Sequence, residues 1–311
     1  MNVSIIIPSY YRVDDLKRCI EAIRHQVSLP SEVILVIRDS DLGTWNFCNA
    51  LEEDLFRVRL VSVSTPGVVA ALNRGVESAE GEIIAFTDDD AGPHPDWIKR
   101  LVDRFDQDSE IGGVGGRDWV YHGDRLEDGS QNVVGKLHWF GRITGNHHIG
   151  NGAAREVDIL KGVNMSFRKE AIGSLRFDDR MRGTGAQVHG ELMFCLKIRA
   201  AGWKLIYDPL IGVDHFRGKR FDEDQRDSFN QVAYENAVHN ETLALLDNLS
   251  PIRRSIFLAW SMLIGAREGL GLVQWIRFFP TQGALATQKY LASIQGRRKG
   301  FVTWISSGQN V

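Results

Sequence analysis

Cysteine is scarce in this 311-residue chain: Cys19, Cys48 and Cys195 are far apart and odd in number. That pattern matches neither a disulfide framework nor a zinc-ligand spacing, and it suits a reducing compartment. Cys19 and Cys195 fall on apolar faces of predicted helices and read as small core residues. No apolar run approaches the roughly 18 residues of a membrane-spanning helix. Met1 opens directly onto a strand with no basic n-region or cleavage site, so no signal peptide is expected and the expected location is cytoplasmic. A strong excess of either charge is also missing. The net charge of −3 argues against a nucleic-acid binder as a whole. Neither a G-x-G-x-x-G nor a Walker P-loop follows the first strand, and no repeat or low-complexity tract occurs.

What remains is the composition of an ordinary globular protein, 43% hydrophobic and 25% charged. Short apolar runs closed by turn residues recur along the first third: Val3 to Ile7, Val33 to Ile37, Val58 to Val63 and Ile83 to Phe86. Such runs read as covered strands of a parallel sheet. Between them lie stretches of helical period. Leu16, Cys19, Ile20 and Ile23 follow Asp14 or Asp15 as a cap, and Val69, Leu72 and Val76 follow Thr65-Pro66 as cap and first turn. Trp97, Ile98, Leu101 and Phe105 form a third inward face, in a helix that Pro95 starts. Four alternations in about 105 residues predict an α/β doubly wound, mostly parallel sheet with helices on both faces. Residues 112–155 are a long polar and aromatic stretch, with a short strand candidate from Val114 to Val120; loops of that length are usually functional. A buried helix from about Glu191 to Ala201 and a strand from Trp203 to Tyr207, closed by Asp208-Pro209, complete a region of about 1–220. Residues 221–311 read as a C-terminal helical extension.

Ligands in such sheets bind outside the carboxyl ends of the strands. Tyr10 and Arg12 follow the first strand, Asp39 the second, Asp88-Asp89-Asp90 the fourth, and His215 the strand near Trp203. Adjacent carboxylates at a cleft repel each other unless a cation lies between them, and hard oxygen ligands favour Mg2+ or Mn2+. By itself the triplet also reads as a solvated acidic turn. Side chains alternate along extended backbone, so Asp89 should point away from Asp88 and Asp90.

At this point the residues carry a resemblance. Val3-Ser4-Ile5-Ile6-Ile7-Pro8-Ser9-Tyr10, Glu32 to Val36 with Asp39, Ala71-Leu72-Asn73-Arg74-Gly75, and Gly81 to Asp90 with Pro95-Asp96-Trp97 come in order. Lys161 to Arg168, Glu191 through Gly202-Trp203, Asp208-Pro209 and His215 follow. In this order and spacing the chain resembles a family 2 glycosyltransferase of the GT-A fold over about residues 1–220. The resemblance implies a metal-dependent, inverting transfer of a sugar from a nucleoside-diphosphate-sugar to an acceptor hydroxyl. It places Pro8, Tyr10, Arg12, Asp39, Asn73 and Asp88 at the nucleotide-sugar, with Asp39 on base and ribose. Asp88, Asp90 and His215 would hold Mn2+ or Mg2+, and Glu191 would be the general base. Arg217, Lys219 and Arg220 would stabilise the leaving group or form a solvated basic loop. Three positions depart from the family pattern. Gly190-Glu191 stands where Glu-Asp is usual, Arg38-Asp39 replaces an acidic pair, and Leu72 replaces an arginine.

Other residues admit two readings. Glu191 also suits a helix N-terminal acid favoured by the macrodipole. His147 and His148 read as loop residues or acceptor contacts rather than metal ligands, while Trp119, Trp139 and Phe140 suit either core packing or sugar stacking. Residues 251–311 hold eight Lys/Arg and one acid, a net +7 that leaves −10 for residues 1–250. With Ile256, Phe257, Trp260, Leu263, Ile264, Val273, Trp275, Ile276, Phe278 and Phe279, this tail reads either as a basic amphipathic membrane contact or as a helical subdomain packed on the core or on a homodimer partner. Membrane contact would put the chain at the inner face of the cell membrane and make a carbohydrate or lipid-linked acceptor in polysaccharide or glycolipid synthesis plausible. The competing functions are a nucleotidyltransferase, which would carry a Gly-rich loop with lysine after strand one, and a non-catalytic sugar-nucleotide or carbohydrate-binding protein.

Overall fold

A computed structural model describes residues 1–51, 55–219, 221–223 and 228–308. In chain order the elements are β1 (Val3–Ser9), α1 (Val13–Arg24), β2 (Glu32–Arg38), α2 (Leu42–Asn49), β3 (Arg57–Val63), α3 (Val68–Ser78), β4 (Ile83–Phe86), β5 (Ala91–Pro93), α4 (Trp97–Gln107) and β6 (Ile111–His122). Short strands β7 (Arg125–Leu126), β8 (Lys136–Leu137) and β9 (Ile143–Thr144) occupy the long polar stretch. Then come β10 (Arg155–Val157), β11 (Met165–Arg168), α5 (Lys169–Ile172), α6 (Gly190–Ala200), β12 (Lys204–His215), α7 (Gln231–Asn248), α8 (Pro251–Leu263), the hairpin β13 (Gly265–Ala266) and β14 (Gly269–Leu270), α9 (Leu272–Gln282) and α10 (Ala284–Gly308).

The main sheet runs β10-β12-β6-β11-β4-β1-β2-β3. β1 lies parallel to β2 and β4, and β2 parallel to β3. β11 is antiparallel to both β4 and β6, so the two reversals bring β6, and β12 parallel to it, back to the direction of β1 and β4. All these carboxyl ends therefore open on one rim. Side-chain alternation splits the strands between two cores. Ile5, Ile7, Leu35 and Ile37 pack with Leu16, Cys48 and Trp97 from α1, α2 and α4. Ile6, Val36, Phe86 and Phe167 pack with Leu72, Phe194 and Leu243 from α3, α6 and α7. The sheet is covered on both faces, as expected.

Several boundaries differ from expectation for tertiary reasons. α3 begins at Val68, beyond Thr65-Pro66. Its first amides are capped from far along the chain, Val68 N donating to the Gly185 carbonyl (2.9 Å) and Val69 N to Gln187 Oε1 (2.9 Å). Gly67, at φ +104°, leaves the space that the Gln187 side chain fills. α1 has Arg12 at its cap position, with Asp14 and Asp15 in the first turn, and α4 starts at Trp97 rather than Pro95. Ala91-Gly92-Pro93 forms strand β5, because β12 continues past Asp208-Pro209 through a bulge and pairs with it. The tail is interrupted by the β13–β14 hairpin. α2 was unanticipated. Its N-cap is buried Asp41, whose carboxylate accepts from Thr44 N (3.0 Å) and Thr44 Oγ1 (2.6 Å).

Candidate active site

Strand ends build the site. Pro8 lacks an N–H, yet it stands in a central strand. That is tolerated because the β1–β4 ladder ends at Ile6 opposite Phe86, leaving that side of β1 an edge. Beyond it Tyr11 takes φ +56°, and its amide donates to Asp41 Oδ2 at 2.5 Å. The Arg38 guanidinium lies 4.8 Å from the Tyr10 ring centroid, which sets Tyr10 beside the end of β2. Asp39 is exposed there, its amide donating to the Val63 carbonyl (3.0 Å).

The acidic triplet divides as its backbone geometry suggests. Asp88 is half-buried, whereas Asp89 and Asp90 are buried. Arg12 reaches both buried carboxylates, 2.6 Å from Asp89 and 2.9 Å from Asp90. Its guanidinium is thus the internal cation of the turn and does not stand open in the cleft. Burial raises the Asp89 carboxyl, with Arg12 opposing and the neighbouring Asp90 and Asp88 adding to the rise. Asp90 Oδ2 also accepts from Gly218 N at 2.7 Å. A Cβ on Gly218 would come 2.6 Å from an Asp15 oxygen and 3.1 Å from the Asp90 Cβ, so glycine permits this close approach.

His215 ends β12 directly opposite Ala91, next in chain to Asp90. Its Nε2 lies 3.6 Å from Asp90 Oδ1. One donor atom each from Asp88, Asp90 and His215 lies within 4.8 Å of the others. Two carboxylate oxygens and one imidazole at this spacing fit a divalent cation. Asp89 is outside this group. On the other side of His215, Nδ1 is 3.9 Å from Asp118 of β6. Asp118 is fully buried and ion-paired with Lys161. Burial opposes its ionisation, but the Lys161 ammonium and His215 outweigh that, and its carboxyl falls to about 2. Sequence reading missed Asp118. A charged residue inside the run Val114 to Val120 was the available signal.

Glu191 lies in the first turn of α6, half-buried, and among the described residues nothing donates to its carboxylate. The segment before it is held in place rather than loose. Gln187 bridges Met181 and Val69, and buried Asn240 of α7 accepts from Arg182 N (2.8 Å) and donates to the Arg182 (2.9 Å) and Val188 (3.1 Å) carbonyls. Asn73 takes a different place from Pro8, Tyr10 and Asp39. Its amide exchanges two hydrogen bonds with the Phe177 main chain (2.9 and 2.8 Å), which makes it a brace between α3 and that segment.

The remaining candidates separate cleanly. Arg217 meets His122 at 2.9 Å, and Lys219 lies over Phe221, which packs edge-on to Tyr11. Arg220 falls outside the described residues. His147 is buried against the Ile159 carbonyl (2.9 Å), and burial lowers its imidazole to about 4. His148 pairs with Glu127 at 3.2 Å. Trp119 carries the Arg117 guanidinium 3.7 Å from its centroid, Phe140 packs on Trp260 of α8, and Trp139 is 63% exposed.

Comparison with known proteins agrees with this geometry. Among solved structures, a mannosyltransferase from Pyrobaculum calidifontis in complex with GDP-Man and Mn2+ aligns over 98% of this chain and 87% of its own, with TM-score 0.56 and 17% identity. The S. aureus TarS fragment 1–349 in complex with UDP-GlcNAc aligns over 100% and 92%, with TM-score 0.59 and 14% identity. These show a shared GT-A fold. In sequence, a glucosyl-dolichyl phosphate glucuronosyltransferase of Haloferax volcanii is 24% identical over 81% of this chain and 79% of its own length. A chondroitin synthase of Pasteurella multocida is 24% identical over 82% of this chain but only 26% of its own length. The family model described as glycosyl transferase family 2 matches residues 4–175, more than half of the 311 residues. The chain belongs to glycosyl transferase family 2.

Proposed function

We propose that this protein is a divalent-cation-dependent transferase that moves a sugar from a nucleoside-diphosphate-sugar to an acceptor hydroxyl with inversion at the anomeric carbon. The observation that carries the reading is the Asp88, Asp90 and His215 group on the rim formed by the carboxyl ends of β4 and β12. Asp88, Asp90 and His215 would hold Mn2+ or Mg2+, and the imidazole leans the choice toward Mn2+. When bound, that cation supplies the positive charge that a departing nucleoside diphosphate requires. The end of β1 and β2 offers Pro8, Tyr10 and Asp39 to the base and ribose, while Arg12 holds Asp90 in place. Glu191 takes the proton of the acceptor hydroxyl as that oxygen attacks. A single displacement with one base inverts the centre and leaves no role for a second carboxylate nucleophile.

The names of two relatives, a glucosyl-dolichyl phosphate glucuronosyltransferase and a chondroitin synthase, favour a lipid-linked or polysaccharide acceptor. The tail supports a lipid-facing role at the inner membrane surface. α9 buries none of its residues and exposes Val273, Ile276 and Phe279, with Arg277 and Arg267 exposed nearby. Among the described residues no helix is long and apolar enough to cross a membrane, so the contact would be interfacial.

The test is turnover of UDP-, dTDP- and GDP-sugars with Mn2+, for the native chain and for Glu191→Ala and Asp90→Ala. Glu191→Ala should lose about 10²–10⁴-fold in transfer while still binding donor. Asp90→Ala should lose the metal-dependent activity. Full transfer by Glu191→Ala would remove the base assignment, and unchanged metal-dependent activity in Asp90→Ala would remove the cation site.

A further inference from the structure

The surroundings of His215 bear on how that residue is aimed. Its side chain is 17% exposed and lies between two carboxylates, Asp90 on the Nε2 side at 3.6 Å and Asp118 on the Nδ1 side at 3.9 Å. The strand register explains the second contact. β6 and β12 pair in parallel with His215 opposite Val120 and Val213 opposite Asp118. Asp118 and Val120 share one face of β6, so Asp118 is the diagonal same-face neighbour of His215. A carboxylate with no exposed surface at this position needs a reason, since an uncompensated buried charge is costly. Lys161 supplies one partner, on Asp118 Oδ2. Yet Asp118 Oδ1 and His215 Nδ1 are both buried without a hydrogen-bond partner. The 3.9 Å approach of Nδ1 is to Oδ2, the oxygen that Lys161 also holds, so the buried imidazole N and the Asp118 carboxylate face each other with hydrogen-bonding capacity left on both.

We propose that Asp118 is a positioning residue for His215: its carboxylate accepts a hydrogen bond from Nδ1–H, which fixes the tautomer and turns the Nε2 lone pair toward the space between Asp88 and Asp90. Lys161 keeps Asp118 in its ionised, oriented state. The arrangement is that of a carboxylate–imidazole–cation relay, in which the outer carboxylate sets ring orientation and raises the basicity of the ligating nitrogen. Asp118 touches no substrate in this scheme and acts only through His215. The inference rests on the cation site proposed above.

Binding of Mn2+ to the purified full chain, followed by electron paramagnetic resonance, tests it without reference to turnover. Asp118→Asn should weaken Mn2+ by about 10–100-fold, the usual loss for an outer carboxylate of a metal-bound histidine. The diagnostic arm is the double variant. If Asp118 acts through His215, adding Asp118→Asn to His215→Gln should weaken Mn2+ no further than His215→Gln alone. An equal loss from Asp118→Asn in both backgrounds would overturn the proposal while leaving the cation site intact. Unchanged Mn2+ affinity in both His215→Gln and Asp90→Ala would instead overturn the site itself, and the proposal with it. A second measurement needs no variant at Asp118. Ring nitrogen-15 shifts of the native chain loaded with Cd2+ should show the metal on His215 Nε2 and the proton on Nδ1. Metal on Nδ1 refutes the assignment.

Discussion

Replacing Arg12 by alanine removes a cation that touches both buried carboxylates of the acidic turn. The guanidinium stands 2.6 Å from Asp89 and 2.9 Å from Asp90. At an effective dielectric of about 20, each pair represents about 6 kcal/mol of gross attraction, most of it offset by the desolvation of the partners. The variant feels a different quantity, the cost of leaving Asp89 buried and uncompensated, about 3–5 kcal/mol. Asp89 can escape that cost by holding a proton, since burial already raises its carboxyl. In the unfolded chain the same group releases its proton above about pH 4. The folded variant then binds more protons than the unfolded chain, and its stability falls as pH rises, by about 1.4 kcal/mol per unit. In the native protein the Asp89 carboxyl is itself raised to about 8, so Arg12→Ala should cost little near pH 6 and show its penalty above about pH 8, read at pH 9.5. Urea unfolding of metal-free protein at the two pH values measures this. Adding Asp89→Asn should restore most of the loss at the higher pH, because the amide needs no counterion. Equal destabilisation at both pH values, or no rescue by Asp89→Asn, would refute the internal-cation role.

Three further outcomes follow from specific contacts. A Cβ on Gly116 would run into the Ile211 carbonyl oxygen where β12 bulges over β6, so Gly116→Ala should destabilise at the upper end of the about 1–3 kcal/mol range for overpacking, read by urea unfolding. Asn240→Ala would leave the Arg182 and Val188 main-chain groups unmet; it should cost about 1–3 kcal/mol and lower kcat more than it raises the donor KM, because the segment leading to Glu191 loosens. Ile276→Glu with Phe279→Glu should abolish co-sedimentation with anionic vesicles and leave donor hydrolysis unchanged; retained sedimentation would remove α9 as the lipid contact.

Much of the sheet-forming half was legible because it is locally encoded. A covered parallel strand declares itself as a short apolar run, and a polar residue just past that run must lie on the rim. Tyr10, Asp39, Asp88 and Asp90 were located by that logic, as was the exclusion of Asp89 by backbone alternation. The illegible parts share one property: their partners are distant in sequence. Arg12 reads as a rim cation until Asp89 and Asp90 arrive, 77 and 78 positions away, and take its guanidinium. Asn73 reads as a cleft residue until Phe177 claims its amide.

The sequence by itself determined the strand–helix alternation, the order of the rim residues and the basic, apolar tail, since periodicity and charge are properties of neighbours along the chain. Only the tertiary structure decided where α3 starts, because Gly185 and Gln187 cap it from more than 100 residues away. It also decided that β12 runs through Asp208-Pro209 to carry His215 beside Asp90, and that Asp118 stands behind the imidazole. Those contacts depend on strand register across β5, β6 and β12. A one-residue slip there would turn His215 or Asp118 to the opposite face, and no local pattern in the chain reports which register the packing of both sheet faces will select.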